Sequence, residues 1–364
     1  MFQGCTSLNS IICLATNIPT NNCTINWVYG VAASGTFTKA ASMNNWTIGD
    51  RGIPTNWNIN IDSVYTTKYF TLATDDGNEG VFTINKPSLK SIDYSIDNGL
   101  TWTTTTEHVT SITANVVLIK STDRTNGWSI QQGSNGIKCS VNFHVEGNIM
   151  SLLYGDDFTN KYVVPRYALT DLFSYSTNLT SARNLMLTAT TLDECCYYEM
   201  FYGCTSLTMV PELPARTLAK NCYESMFEYC TSLTTAPTLY ATTLAESCYY
   251  RMFENCTNLI TASKLLATTL VKGCYSHMFY GCTSLTTAPE LPATTLIRDC
   301  YYEMFKHCTN LNYIKCLALN IYVADSTTNW VDGVSSNGTF IKRNPVTWTT
   351  GIDGIPANWT IQNV

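Results

Sequence analysis

The stretch from Asn221 to Glu246, NCYESMFEYCTSLTTAPTLYATTLAE, decides how this chain is built, because it recurs. The pairs Met200-Phe201, Met226-Phe227, Met252-Phe253, Met278-Phe279 and Met304-Phe305 follow one another every 26 residues. An earlier, degenerate copy surrounds Phe173, with Ser176 where later units carry cysteine. An atypical terminal unit is what a stack of repeats requires. Within one unit Cys222, Tyr223, Met226, Phe227 and Cys230 stand at i, i+1, i+4, i+5 and i+8. At roughly 100° per residue these positions share one face of a short helix. The intervening residues (Glu224/Ser225, Tyr250/Arg251, Ser276/His277, Tyr302/Glu303) vary between copies and are expected to point outward. CTSLTTAP and ATTL read as short extended pieces broken by Pro211 and Pro237. Each unit is expected to be one short helix with one or two short strands. Such a unit cannot bury its apolar face alone, so the units are expected to stack as a solenoid.

The pattern MFxxCTSLTxAPxLxATTL resembles the BspA-like leucine-rich repeats of surface proteins, over about residues 170–317. The match is carried by Phe201, Cys204 and Leu207, by Phe227, Cys230 and Leu233, and by Phe279, Cys282 and Leu285. The 26-residue period is longer than that family's usual unit, and prolines fall inside its expected strand. The resemblance implies a leucine-rich-repeat architecture, adhesion, and binding of protein or glycan, with no catalytic residues to carry over. The expected fold is therefore an α/β solenoid of leucine-rich-repeat type, joined to a small all-β module and to Gly/Trp-rich caps.

Sixteen cysteines would be hard to explain in a chain without an export signal, but the repeat orders them. Cys204, Cys230, Cys256, Cys282 and Cys308 form one column, beside the column of Phe201, Phe227, Phe253, Phe279 and Phe305. Cys196, Cys222, Cys248, Cys274 and Cys300 form another. Buried small thiols are the expected reading, although neighbouring rungs would lie within disulfide reach. A zinc site is not expected, since CxxC pairs are missing.

Beyond Cys316 the period stops and residues 318–364 carry TTNWVDGVSSNGTF and GIDGIPANWTI. The same material opens the chain: Met1–Lys39 and Met304–Lys342 are identical at 22 of 39 positions without a gap. Allowing one residue of slip, Pro54 and Trp57 then match Pro356 and Trp359. Residues 1–60 thus read as a second copy of the last half-repeat and its cap, and Met1 takes the place of a methionine internal to every unit. The expectation is a tandem protein in which an earlier repeat stack, and any signal peptide, lie upstream. Residues 61–150 switch to strand periodicity (KYFTLAT, GVFTIN, IDYSI, NVVLIKS, KCSVNFHV) and read as a small antiparallel sandwich. Residues 151–317 hold the repeats and 318–364 the cap.

Charged residues are only 13% of the chain and the net charge is −6, which argues against nucleic-acid partners. No run approaches the roughly 20 apolar residues that a membrane span needs, so membrane insertion is not expected. SIDNGLTW, Ser95–Trp102, resembles the sialidase Asp box. It occurs once, so Asp97, Gly99 and Trp102 are read as turn chemistry and a glycosidase only as a remote alternative. The pairs Asp75-Asp76 and Asp156-Asp157 lie in polar turns without EF-hand spacing. His108, His144, His277 and His307 show no ligand spacing, and no nucleophile or phosphate-loop motif is present. No catalytic residue, metal or cofactor is expected.

What remains is a binding surface. Tyr202, Tyr229, Tyr250, Tyr280 and Tyr302 fall on the varied positions, where tyrosine gives contact area at low entropic cost. The threonines of the opposite side, Thr208, Thr234, Thr261 and Thr286, compete with them. The expected function is a non-catalytic extracellular or cell-surface adhesion protein of a gut bacterium, contacting host protein or glycan. The alternative is a phage virion appendage, a fibre or decoration protein that binds a bacterial surface protein or polysaccharide. The succession of repeats, GIPxNW cap and small sandwich, with GNIMSLLYGDDF (147–158), resembles proteins from both sources.

Overall fold

The computed structural model describes residues 2–13, 26–40, 49, 52–62, 68–86, 91–122, 136–321 and 323–364. Met1, on which the expectation of an interrupted repeat rests, lies outside the described residues. So do parts of the sequence duplicate, including 14–25, 41–48, 50 and 51. The chain divides into two compact units, Met1–Thr67 and Lys68–Val364.

In the first unit β1 (Ser10–Cys13), β2 (Thr36–Ala40) and β3 (Asn58–Asp62) form a parallel sheet in that order. Its small core gathers Ile11, Trp27, Val28, Phe37, Ile53 and Trp57.

The second unit begins with two antiparallel layers. Their strands are β4 (Phe70–Thr74), β5 (Gly80–Asn85), β6 (Ile92–Ser95), β7 (Thr103–Thr105), β8 (Val109–Ala114), β9 (Val116–Ser121), β10 (Ile137–Cys139) and β11 (Phe143–Asn148). One sheet has the order β10-β5-β8. A helical turn, α1 (Ser151–Tyr154), runs into a 3-10 turn at Gly155–Asn160. Then follow β12 (Val163–Val164), β13 (Leu179–Met186) and β14 (Thr191–Leu192). The other sheet has the order β13-β11-β4-β9-β6-β7, with β13 parallel to β11. Strand β13 belongs to the degenerate first repeat, and Ser181 in it bridges to Met209 of the next unit. The sandwich edge is therefore the surface on which the repeats are laid down. The chain closes with β15 (Tyr313–Cys316), β16 (Thr339–Lys342) and β17 (Thr360–Asn363), again parallel and in order.

The expected α/β solenoid of leucine-rich-repeat type is not what forms. The described residues are built mostly from strands in several small sheets, and the one helical segment among them, Ser151–Asn160, precedes the 26-residue repeats. The segments expected to be repeat helices are ribbons of turns. Along Cys222–Cys230, every second amide bonds three residues back, as Glu224 N does to Asn221 O and Met226 N to Tyr223 O. The amides between them leave the unit, as Tyr223 N does to Cys248 O and Phe227 N to Met252 O, both at about 25 residues' separation. An α-helix would instead send each amide four residues back within its own segment. Every fourth residue takes a left-handed φ: Asn221 (53°), Ser225 (52°) and Tyr229 (59°), then Ser247, Arg251 and Asn255 in the next unit. A run of right-handed helix cannot contain such residues. The burial period is consequently four rather than 3.6, and i, i+1, i+4, i+5, i+8 is its direct signature.

The extended pieces contribute little sheet. Successive units touch through isolated parallel bridges such as Leu213 to Leu239, Thr217 to Thr243 and Thr235 to Thr261. What holds them is the amide-to-carbonyl bonding between ribbons, together with side-chain stacking. Phe173, Phe201, Phe227, Phe253, Phe279 and Phe305 stack with centroids 5.3 to 5.8 Å apart and planes within 12° of parallel. Tyr197, Tyr223, Tyr249, Tyr275 and Tyr301 form a second buried column. Trp330 closes both columns, 6.2 Å from Tyr301 and from Phe305, with Trp348 stacked behind it at 5.5 Å.

Candidate binding surface

The columns of repeat-equivalent residues define an inner and an outer side of the turn ribbon. Inside, the thiols of Cys204, Cys230, Cys256, Cys282 and Cys308 donate to the carbonyl oxygens of Phe173, Phe201, Phe227, Phe253 and Phe279, at 2.9 to 3.1 Å. Every described cysteine is a free thiol. Burial pushes the thiols of both columns far above their ordinary range, which removes the thiolate that nucleophilic or metal chemistry needs. Among the described residues, three or more His, Cys, Asp or Glu side chains nowhere gather in a way that could hold a metal ion.

Outside, the five tyrosines do not make one stripe, because they occupy three different positions of the unit. Tyr202 lies edge-on between Tyr175 at 5.1 Å and Tyr229 at 5.6 Å. Burial, reinforced by the hydrogen bond with Tyr175, pushes the Tyr202 hydroxyl upward. A second group centres on His277, with Tyr302 at 5.3 Å, Tyr250 at 5.4 Å and Tyr280 at 5.8 Å. His307 stands edge-on to Tyr280 at 5.3 Å. Tyr229 is exposed, whereas Tyr202, Tyr250, Tyr280 and Tyr302 are half-buried. Thr208, Thr234, Thr261 and Thr286 are all exposed on the bridge side.

Between the two aromatic groups lies an ionisable cluster that sequence reasoning assigned to the solvated face. Glu228 and Glu254 are 4% and 8% exposed, and Ser225 and Ser276 are buried. Equivalent rings on adjacent rungs stand only 5.3 to 5.8 Å apart, so side chains at the varied positions cover one another. Burial raises the carboxyls of Glu224 and Glu254 to about 7, with repulsion from Glu199 and Glu228 respectively adding to it and Arg251 opposing. Burial raises Glu228 as well. Arg251 Nε lies 3.4 Å from Glu254 Oε2, and its guanidinium sits 5.0 Å from the Tyr250 ring. Burial, then the positive charge of Arg251, lowers the His277 imidazole to about 4, although Glu303 Oε2 is 3.2 Å away. Burial works against ionisation of Glu303, but hydrogen bonds from Lys306 and Asn329 hold its carboxyl below the usual range. Repeated acids at one column position are a signal the sequence did contain: Glu228 and Glu254 are equivalent, one unit apart.

The Asp box is a hairpin turn between β6 and β7. Asp97 accepts from the Thr101 hydroxyl at 2.6 Å, the Thr101 amide at 2.9 Å and the Ser95 hydroxyl at 2.7 Å, which hold its carboxyl down to about 2. Gly99 takes a φ of +87° and donates its amide to Ser95 Oγ. Trp102 packs edge-on against Tyr69 at 4.9 Å and beneath the Lys120 ammonium at 4.3 Å. The acid pairs are engaged in structure as well. Asp76 accepts from the amide and side chain of Asn78, and Asp75 takes the Thr180 hydroxyl at 2.7 Å and the His144 ring at 2.9 Å. Asp156 receives the Tyr69 hydroxyl at 2.7 Å and the Lys120 ammonium at 2.8 Å. A shallow cavity of about 350 Å³ is lined by Asp75, Asp76, Val141 and Asn142, away from the tyrosines.

Comparison of the chain with protein-family models, with curated proteins and with solved structures finds no match in any of the three.

Proposed function

We propose that this chain is a non-catalytic binding protein that works outside the cell, contacting a surface protein or glycan through the outer side of its turn ribbons. One observation carries the reading: Tyr250, Tyr280 and Tyr302 are gathered around His277, with Arg251 beside them, on a scaffold whose interior is the same in every unit. Aromatic rings held by their neighbours lose little further entropy on binding, and they suit stacking on sugars or on apolar protein surface. The sequence resemblance to BspA-like surface proteins supports the same class of partner, a host protein or glycan.

The test is binding of the labelled full chain to mucin and matrix proteins, with gut bacterial cells and their polysaccharide alongside. Saturable binding to mucin or matrix protein, weakened at least tenfold by Tyr280→Ala and Tyr302→Ala together, is the expected result. Binding to bacterial cells alone, competed by their polysaccharide, would turn the reading to the virion appendage. Silence on every surface would sink the binding role itself.

A further inference from the structure

The 26-residue period places Tyr202, Glu228, Glu254 and Tyr280 in a single column of the outer side. The two glutamates therefore stand between the group of Tyr175, Tyr202 and Tyr229 and the group around His277. Their backbones are tied rung to rung: Gly203 N donates to Glu228 O at 2.8 Å, and Tyr229 N to Glu254 O at 2.9 Å. The rings that precede them in sequence, Phe227 and Phe253, stack at 5.7 Å. Glu224 adds a third carboxyl, at the position that Tyr250 takes on the next rung.

Three carboxyls thus face one guanidinium. Arg251 Nε stands 3.4 Å from Glu254 Oε2, and among the described residues neither atom has a hydrogen-bond partner. Their contact is electrostatic alone, and the same guanidinium lies 5.0 Å from the Tyr250 ring. Glu199 on the preceding rung adds negative charge, and the Ser225 hydroxyl bonds Glu228. The remaining cations are engaged elsewhere, Lys220 with Glu246 at 3.4 Å and Lys306 with Glu303 at 3.0 Å. Burial keeps the His277 imidazole neutral near pH 7. Arg251 can neutralise one carboxylate. Ionisation of the second and third leaves like charges unpaired on adjacent rungs, in a wall that excludes water. Burial raises Glu224 and Glu254 to about 7, which puts that event close to neutrality.

Taking the outer side as the binding surface, we infer that Glu224, Glu228, Glu254 and Arg251 form a proton-operated clasp between its two aromatic groups. With the carboxyls protonated, the rungs close and Tyr202, Tyr250 and Tyr280 are held in one ordered surface. With all three ionised, the carboxylates turn to water and release their protons there. Arg251 then follows Glu254 away from the Tyr250 ring, and the surface loses its order. A partner that needs the ordered rings binds more tightly at mildly acidic than at alkaline pH.

Amide exchange of the full chain at pH 6 and pH 8, corrected for the intrinsic rate, reads the clasp without any ligand. Protection of 221–230 and 247–256 is expected to fall about tenfold at pH 8 through local opening. Protection of 299–308, where Lys306 balances Glu303, should stay within about twofold. Glu228→Gln with Glu254→Gln should keep the first two segments protected at pH 8. Arg251→Met should move the midpoint of the loss to higher pH, because the one cation favouring the carboxylates is gone. Equal protection at both pH values would overturn the clasp, as would an equal loss in 299–308 or a loss that the glutamine variant retains. Mucin and matrix protein are then titrated at the same two pH values, with about tenfold weaker binding expected at pH 8 and little change in the glutamine variant. Binding indifferent to pH would overturn control of the surface. Absence of binding at both pH values would sink the binding role and leave exchange to judge the clasp by itself.

Discussion

The Cys256 thiol donates to the carbonyl oxygen of Phe227 at 3.0 Å, one unit away in the stack. The same bond recurs in every unit, so the cysteine column is a row of donors and not a reservoir of disulfides. A serine could make the bond but would bring a shorter, more polar group into an apolar wall. We predict that Cys256→Ser and Cys256→Ala each lower the unfolding free energy by about 1–3 kcal/mol, the cost of a buried polar or cavity defect. Urea denaturation of the two variants is the check.

Native thiol labelling follows from the same geometry. Burial keeps the repeat thiols protonated and inaccessible, whereas Cys5 is exposed and Cys13 partly so. Among the described cysteines, brief iodoacetamide treatment of the native chain should modify Cys5 first, then Cys13, and leave both columns unmodified by peptide mass mapping.

The ionisable cluster makes stability depend on pH. Glu224 and Glu254 titrate near 7 in the folded chain against 4.5 ordinarily, so their protonated forms are favoured on folding. Their contribution is complete below about pH 4.5 and is lost as pH rises through 7. His277, lowered to about 4, runs the other way: its contribution is present above 6.5 and is lost as pH falls through 4. The chain should therefore melt several degrees lower at pH 8 than at pH 6. Glu254→Gln should flatten that difference. A melting temperature that rises from pH 6 to pH 8 would contradict the assignment.

Left-handed positions recur at every fourth residue of the ribbon, and some are glycine. Gly281 has a φ of +68°, and a Cβ there would come within 2.3 Å of Asn255 Oδ1. Gly281→Ala should cost roughly 1–2 kcal/mol, the usual penalty for a left-handed L-residue, with the Asn255 side chain moving aside. Asn255→Gly, which relieves a φ of 57°, should stabilise by several tenths of that. Thermal melts of the two variants should shift in opposite directions.

Trp330 closes the stack of the larger unit, while Trp27 sits in the equivalent place of the smaller one. Removal of a buried indole costs about 3–5 kcal/mol. Trp330→Ala should lower the transition of the repeats, and Trp27→Ala should leave that transition where it is. Calorimetry of both variants distinguishes the two.

The sequence by itself determined the period, the membership of each buried column and the duplication of the cap. Buried identity at Phe201, Phe227, Phe253, Phe279 and Phe305 is visible as repetition, because each rung meets a copy of itself. It did not determine the ribbon's conformation. Spacings of 1, 4, 5 and 8 are shared by a helical face and by a period-four turn ribbon, and short windows do not separate them. The discriminating sign was present at Asn221, Asn255, Gly203, Gly273 and Gly281, residues that tolerate a left-handed φ, but serine, arginine and tyrosine at equivalent positions hid it. Only the tertiary structure decided the matter: half of each ribbon's amides find their partners on the neighbouring unit, so the conformation is stable only when the next unit is there to accept them. The burial of Glu228 and Glu254 follows from the same stacking and could not be read from a single unit.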